Sequence, residues 1–351
     1  MTRLFVLPAA LLGLFGAPSI AAHAASFDCT KAGTPFERAI CDNPELSAAD
    51  TRLAATYESA VGGLSEAARG AVRTGQREWL SYAQRACSRD AKPLVVGVYD
   101  DRGVSCLVEI FNSRSTVLEQ SRMVEGIRFY PMARYEALPD PNEIDNPDSW
   151  SPVAHHELSW IEIDGAQDFA ADFNAAIAED ALALSPVIAG TIGPDSEDDG
   201  STSDTDNSLG LEAVAGASRI TLNGTTYWYG HGAAHGNWGI FYRHYLVKEG
   251  RFMQASDLFS GEGWEAALVD LALAAAEAEH GDNLMLDDTS YMAEAVVDPQ
   301  RWDLSDPYAL VIQFQPYEIA AYAYGAPEVR VKWEDIEGYL VDGADEIRFG
   351  Y

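Results

Sequence analysis

All four cysteines of this 351-residue chain, Cys29, Cys41, Cys87 and Cys106, lie in its first third, while almost all of its net charge lies in the rest. Residues 25–121 carry 11 Lys and Arg against 13 Asp and Glu, a net −2; residues 122–351 carry 11 against 42, a net −31. A cysteine-stapled, near-neutral segment followed by a strongly acidic one predicts two domains with different tasks. The acidity argues against nucleic acid and anionic membrane surfaces, which are bound through clustered Lys and Arg. It favours a basic protein or a cationic ligand drawn in by long-range attraction.

The first residues read as a targeting segment. Met1-Thr2-Arg3 gives a positive start, Leu4 to Gly16 a short apolar run, and Ala22-His23-Ala24 a small-x-small cleavage signal. This pattern predicts a secretory signal peptide over residues 1–24, too short for a membrane span. Cys29 lies too far beyond the cut for a lipobox. No later stretch approaches about 18 consecutive apolar residues, so a soluble periplasmic protein without membrane insertion is expected. In an oxidising compartment an even cysteine count predicts two disulfides, with all three pairings open.

Residues 25–121 read as four helices. Thr34-Pro35-Phe36-Glu37 is a capping box with Pro at the first helical position, and Asn43-Pro44 ends that helix. Ser47 and Ser65 are expected to cap the second and third, and Gly62-Gly63 to stop the second. The fourth is expected from about Val104 to Gln120. Trp79 and Tyr82 follow the apolar period and read as core. Four short helices bury little surface, and disulfides compensate at this size.

These residues carry a resemblance. Phe27-Asp28-Cys29, Glu37-Arg38-Ala39-Ile40-Cys41, Leu46-Ser47, Asp50, Leu53 and Tyr57, then Gln76-Arg77-Glu78-Trp79-Leu80, Cys87 and Cys106, resemble the N-terminal domain of the lysozyme inhibitor LprI family. The resemblance implies a small exported helical domain associated with lysozyme inhibition.

Residues 122–351 mix strand and helix patterns, which predicts an α+β domain. Strands are expected over His156–Ile163, Ser218–Leu222, Thr225–Tyr229, Gly239–Val247, Tyr308–Gln315 and Glu328–Val331. Helices are expected over Ala166–Leu184, Trp264–Glu279 and Trp333–Leu340, and a hairpin turn at Lys248–Arg251. Residues 194–208, with Asp204 and Asp206, read as a solvated acidic loop. They lack the calcium-loop order, since Leu209 stands where that loop needs Gly.

Gly230-His231-Gly232-Ala233-Ala234-His235-Gly236-Asn237 holds two His at i,i+4, but its glycines disfavour the helix that would aim both at one metal. It reads as a turn between strands, with His235 making structural hydrogen bonds. No nucleophile motif, phosphate loop or metal constellation stands out. The chain therefore reads as non-catalytic, with no cofactor and no metal.

Gly232–Asn237, the hairpin Tyr242–Phe252, Ala255–Phe259 and Gln313–Gly325 carry a second resemblance, to the extracellular domain of RsiV-type anti-sigma factors. That resemblance implies lysozyme sensing. Both resemblances thus imply lysozyme as the partner, which the acidic balance suits as a basic protein; contact anchors tend to be aromatic or Arg, and His235, Trp238, Tyr242, Tyr317, Glu318, Tyr322 and Tyr324 are the expected contact residues. A cell-envelope accessory protein or enzyme without a lysozyme role is the competing reading.

Overall fold

Thr34 caps the first helix as the sequence predicts. Its hydroxyl accepts from the Glu37 N–H at 3.1 Å, and the Glu37 carboxylate accepts from the Thr34 N–H at 2.9 Å. Two donors that a helix start leaves unpaired are thereby satisfied. The computed structural model describes residues 25–192, 200–285 and 290–351. The expected signal peptide and residues 194–199 of the expected acidic loop lie outside the described residues. Helix α1 spans Pro35–Asp42, α2 Pro44–Val61, α3 Glu66–Ala86 and α4 Asp101–Leu118. Ser65 caps α3 and Asp100 caps α4. Ser47 caps nothing: α2 starts three residues earlier at Pro44, whose fixed φ suits a first turn, and Ser47 is buried within it.

The disulfides are Cys29–Cys41 and Cys87–Cys106. The first ties a short 3₁₀ turn at Cys29–Lys31 to the end of α1. The second joins the end of α3 to the start of α4. Between them lies a core that includes Leu46, Leu53, Leu107 and Trp79, the last edge-on to Phe111 at 4.9 Å.

Strands begin at Arg122. They are β1 (Arg122–Val124), β2 (Ile127–Pro139), β3 (Val153–Ile163), β4 (Ser203–Ala215), β5 (Arg219–Gly230), β6 (Asn237–Leu246) and β7 (Arg251–Phe252). Among the described residues these form one sheet in sequence order, antiparallel except for β3–β4. That pair is parallel because α5 (Ala170–Ala183) and α6 (Pro186–Ala189) lie between its strands, and parallel neighbours need a crossover. Phe173, Ile177 and Ala181 recur every four residues along α5 and share a core with Leu158, Leu209, Leu222 and Tyr245. A second layer follows: α7 (Trp264–His280), α8 (Ser290–Val297), β8 (Trp302–Asp303), β9 (Ala309–Gln313), β10 (Glu328–Lys332), α9 (Trp333–Ile336) and α10 (Ala344–Phe349). Its strands form a separate antiparallel sheet, β10–β9–β8. Among the described residues no helix is long and apolar enough to cross a membrane.

Two further expectations are corrected. Residues 203–208 are not loop but the start of β4. Asp204 pairs across from Tyr229 and Asp206 from Tyr227, so sheet pairing overrides the turn preference of Asp and Ser. The two strands expected over 218–229 are one, β5. The closing helix covers nearly its expected span, as α9 followed directly by a 3₁₀ turn at Glu337–Tyr339, and α10 follows it.

The helical domain and the sheet share a core, since Tyr130, Ala137 and Val153 belong to the same cluster as Trp79 and Leu107. Tyr82 of α3 stacks on Tyr135 of β2 at 5.1 Å, and its hydroxyl donates to Glu157 of β3 at 3.0 Å. Ser113 of α4 donates to the other Glu157 oxygen at 3.0 Å. Arg85 pairs with Glu136 at 3.2 Å and Arg134 with Glu78 at 3.0 Å. Arg89 and Arg102 donate to backbone carbonyls of the 140–152 loop.

Burial, and then Asp206 beside it, push the Glu157 carboxyl up to about 7 from 4.5. The folded state therefore holds this proton more tightly than the unfolded chain. The stability so gained is complete below about pH 4.5 and is lost as pH rises through about 7. Glu157→Gln, which keeps an acceptor for Tyr82, is expected to raise the melting temperature at pH 8 and leave it little changed at pH 4.5. Equal shifts at both pH values would show that the charge is not responsible. Replacing Cys87 and Cys106 together by Ser is expected to lower stability by about 3 kcal/mol in urea titrations.

Candidate partner-binding site

The β5–β6 hairpin carries the residues that the sequence singles out. Its tip, His231–Gly236, is the expected turn between strands. His231 is not on its outer surface. Its side chain is only 4% exposed, with Nδ1 2.6 Å from Asp140 Oδ2 and Nε2 3.3 Å from Asp204 Oδ1. Both ring nitrogens face carboxylates, an arrangement satisfied when both carry protons. Burial opposes charge on His231, but the hydrogen bonds to Asp204 and Asp140 outweigh it and raise its pKa. Burial likewise opposes charge on Asp204; His231 and the N–H of His155, which donates to it at 2.8 Å, reverse this and hold its carboxyl below the usual range. The Asp140–His231–Asp204 bridge ties the hairpin tip to the β2–β3 loop and to β4. Sequence reasoning missed it because Asp140 lies 91 residues away, one acid among many.

His235 is the exposed histidine. Its Nδ1 donates to the Gly236 carbonyl at 2.9 Å, and its ring stacks on Tyr322 at 4.2 Å. The Tyr322 hydroxyl donates to the same carbonyl at 2.7 Å. Tyr317, 60% exposed, lies 5.1 Å from the Tyr322 ring, with its hydroxyl 3.5 Å from His235 Nε2. The Tyr227 ring covers Gly236, where a Cβ would stand 2.6 Å from it, so a side chain there would have to push that ring aside. Tyr227 is exposed and faces Trp238 across the β5–β6 pair.

The segment Gln313–Gly325 builds the other half of this site. Gln315 accepts from the Ile240 N–H at 2.8 Å and donates to its carbonyl at 2.6 Å, docking on the edge of β6 as a strand would. Glu318 binds Arg301 through both oxygens, at 2.6 and 3.2 Å, and accepts from the Gln315 N–H at 2.6 Å. Between these fixed points Tyr317 has φ 72°, a left-handed conformation that costs an L-residue roughly 1–2 kcal/mol. Strain held at an exposed aromatic is a mark of functional sites.

Of the expected contact residues, His235, Tyr317 and Tyr322 come together, with half-buried Trp238 on the same hairpin. Tyr242 is 6% exposed and packs inside the protein, and Glu318 is ion-paired with Arg301. Tyr324 packs against His280, its hydroxyl 3.0 Å from Nδ1. Tyr227 was missed, for its exposure is invisible in a strand of alternating aromatics. His231 and His235 have different partners and do not form one site.

Comparison with known families gives this arrangement a context. Residues 28–118 match the family model of the lysozyme inhibitor LprI. The LprI-like domain thus comprises α1–α4 and both disulfides. Residues 256–334, from just after β7 to the start of α9, match a family described as a protein of unknown function, DUF3298. Two crystal structures of DUF3298 family proteins are similar to the chain. One, from Pseudomonas aeruginosa PAO1, is 14% identical, covering 64% of this chain and 98% of its own, with a TM-score of 0.44. The other, from Bacteroides fragilis NCTC 9343, is 15% identical, covering 64% and 96%, with a TM-score of 0.43. No curated protein matches the chain.

The bridge at His231 has a testable pH signature. His231, with its raised pKa, contributes stability that is complete below about 6.5 and is lost as pH rises through its folded value; Asp204, with its lowered pKa, contributes above about 3.8 and is lost in acid. His231→Gln is expected to cost about 3–5 kcal/mol near pH 5.5, and less at pH 9, measured by chemical denaturation.

Proposed function

We propose that this chain is an exported, non-catalytic protein that captures a lysozyme, a basic muramidase. The observation that carries the reading is the match of residues 28–118 to the lysozyme-inhibitor family model. The charge distribution supports it: residues 122–351 carry a net −31, and such a field speeds encounter with a basic partner about 10–10³-fold at low salt. The resemblance of the acidic module to RsiV-type lysozyme-sensing domains supports the same target. Residues 25–121 carry a net −2, so the helical module adds no positive field to oppose that attraction.

In this reading the exposed ring cluster His235–Tyr317–Tyr322 makes the contact. Interface energy concentrates in a few aromatic and Arg residues, and these rings are pre-ordered by stacking and backbone hydrogen bonds, which lowers the entropy cost of binding. The net negative charge of residues 122–351 steers the partner.

The test is calorimetric titration against a c-type lysozyme, with cell-wall lysis measured in parallel. Saturable binding that weakens with added salt, and slower lysis, are expected. Tyr317→Ala is expected to weaken binding at least about 10-fold; Trp150→Ala, at an exposed ring of the 140–152 loop, is expected to leave it unchanged. Absence of both binding and inhibition at low salt would sink the reading.

A further inference from the structure

Successive side chains on a strand point to opposite faces of the sheet. Tyr227 and Trp238 share one face of the β5–β6 hairpin, and Trp228 and Asn237 share the other. On that second face lies a trough of about 590 Å³, which Tyr227 and Trp238 also border. Strand register gives its floor. Thr205, Trp228 and Asn237 are neighbours across β4, β5 and β6, and Asn207, Thr226 and Gly239 form the next row. The α5–α6 corner at Leu184 and Pro186 makes one wall, and residues 298–301, against the edge of β6, make the other.

Three features set this trough apart. Trp228 is 46% exposed, and the six-membered part of its indole rests on Gly230, where a Cβ would stand 2.7 Å away. The ring is thus supported from beneath by backbone. Asn237 and Gln300, both exposed, place planar amides at the floor and wall, each able to donate and accept in one plane. Finally, the trough is nearly uncharged in a chain of net −32. Among its lining residues only Asp298 and Arg301 are charged, and Arg301 is neutralised by Glu318. Asp298 accepts from the Gln300 N–H at 2.9 Å and fixes that wall.

A cation would be drawn to the acidic surface elsewhere, and an anion would find no unpaired positive charge among these side chains. A flat, supported aromatic face beside donor–acceptor amides suits a ligand with one apolar C–H face and a rim of hydroxyl or amide groups. We propose that this trough binds a neutral oligosaccharide, with one sugar ring on Trp228 and its hydroxyl or acetamido groups on Asn237 and Gln300. Tyr227, Trp238 and Gln315 border both this trough and the ring cluster assigned to lysozyme, but His235, Tyr317 and Tyr322 do not line the trough, and neither proposal depends on the other.

The experiment is titration of the purified full chain, without lysozyme (which binds such sugars itself), with N-acetylchitotetraose, cellotetraose and maltotetraose. Calorimetry and tryptophan fluorescence are the readouts. Saturable binding of at least one sugar is expected, weakened at least about 10-fold by Trp228→Ala, whose loss of one stacked ring is worth about 1.4 kcal/mol or more. Asn237→Ala is expected to weaken it several-fold, and Tyr317→Ala to leave it unchanged. Circular dichroism establishes that each variant is folded; if Trp228→Ala is not, the exposed Asn237→Ala carries the test. No saturable binding of any of the three at millimolar concentration overturns the proposal, as does binding that survives the folded variants of this trough. A chain that binds lysozyme but no sugar defeats this proposal alone, and one that binds sugar but no lysozyme defeats only the lysozyme reading.

Discussion

Tyr82 is wholly buried where α3 meets the sheet, with its ring on Tyr135 and its hydroxyl on Glu157. This contact makes one body of two segments that differ in composition and fold class. A buried hydroxyl without a partner costs roughly 1–3 kcal/mol, and a half-buried carboxylate needs donors. Here each satisfies the other, and Ser113 supplies Glu157 with its second donor. The aromatic stack adds apolar burial around the pair. The helical domain is therefore positioned by specific hydrogen bonds inside a shared apolar core, and not by its linker.

The same junction explains how so acidic a chain folds against a near-neutral one. Arg85, Arg89 and Arg102 project from the helical domain toward the sheet and its 140–152 loop, where they meet a carboxylate and backbone carbonyls. These contacts tie the two modules together, and the surplus carboxylates of residues 122–351 set the outer field. At the hairpin tip, His231 sits between Asp140 and Asp204, whose hydrogen bonds raise its pKa and favour a cation there. Two carboxylates brought together there without it would repel each other.

The hairpin β5–β6 presents two different surfaces because neighbouring residues on a strand face opposite ways. One face carries the exposed ring cluster completed by Gln313–Gly325. The other carries the neutral trough with Trp228. The Gln313–Gly325 segment serves both, since Gln315 docks on the edge of β6, Glu318 neutralises Arg301 beside the trough, and Tyr317 and Tyr322 join His235. Its distinctive sequence thus has a physical basis: amide, carboxylate and two rings are placed by one short turn.

The sequence by itself determined the local features. The capping box at Thr34, the Ser65 cap, the apolar stripes of α3 and α5, the β6–β7 turn and the two-part division are each set by residues a few positions apart. The even cysteine count announced two disulfides. Tertiary structure decided what depends on distant partners. It chose the pairing Cys29–Cys41 and Cys87–Cys106, and it drew Ser203–Ser208 into a strand because β3 and β5 lie on either side. It buried Tyr242 while leaving Tyr227 and Tyr317 exposed, although all are tyrosines among similar neighbours. It also brought Asp140 to His231 across 91 residues. Helix caps and periodicity act through bonds a turn apart, so they are written in sequence order; exposure, strand neighbours and ion bridges follow from packing, which only the folded chain specifies.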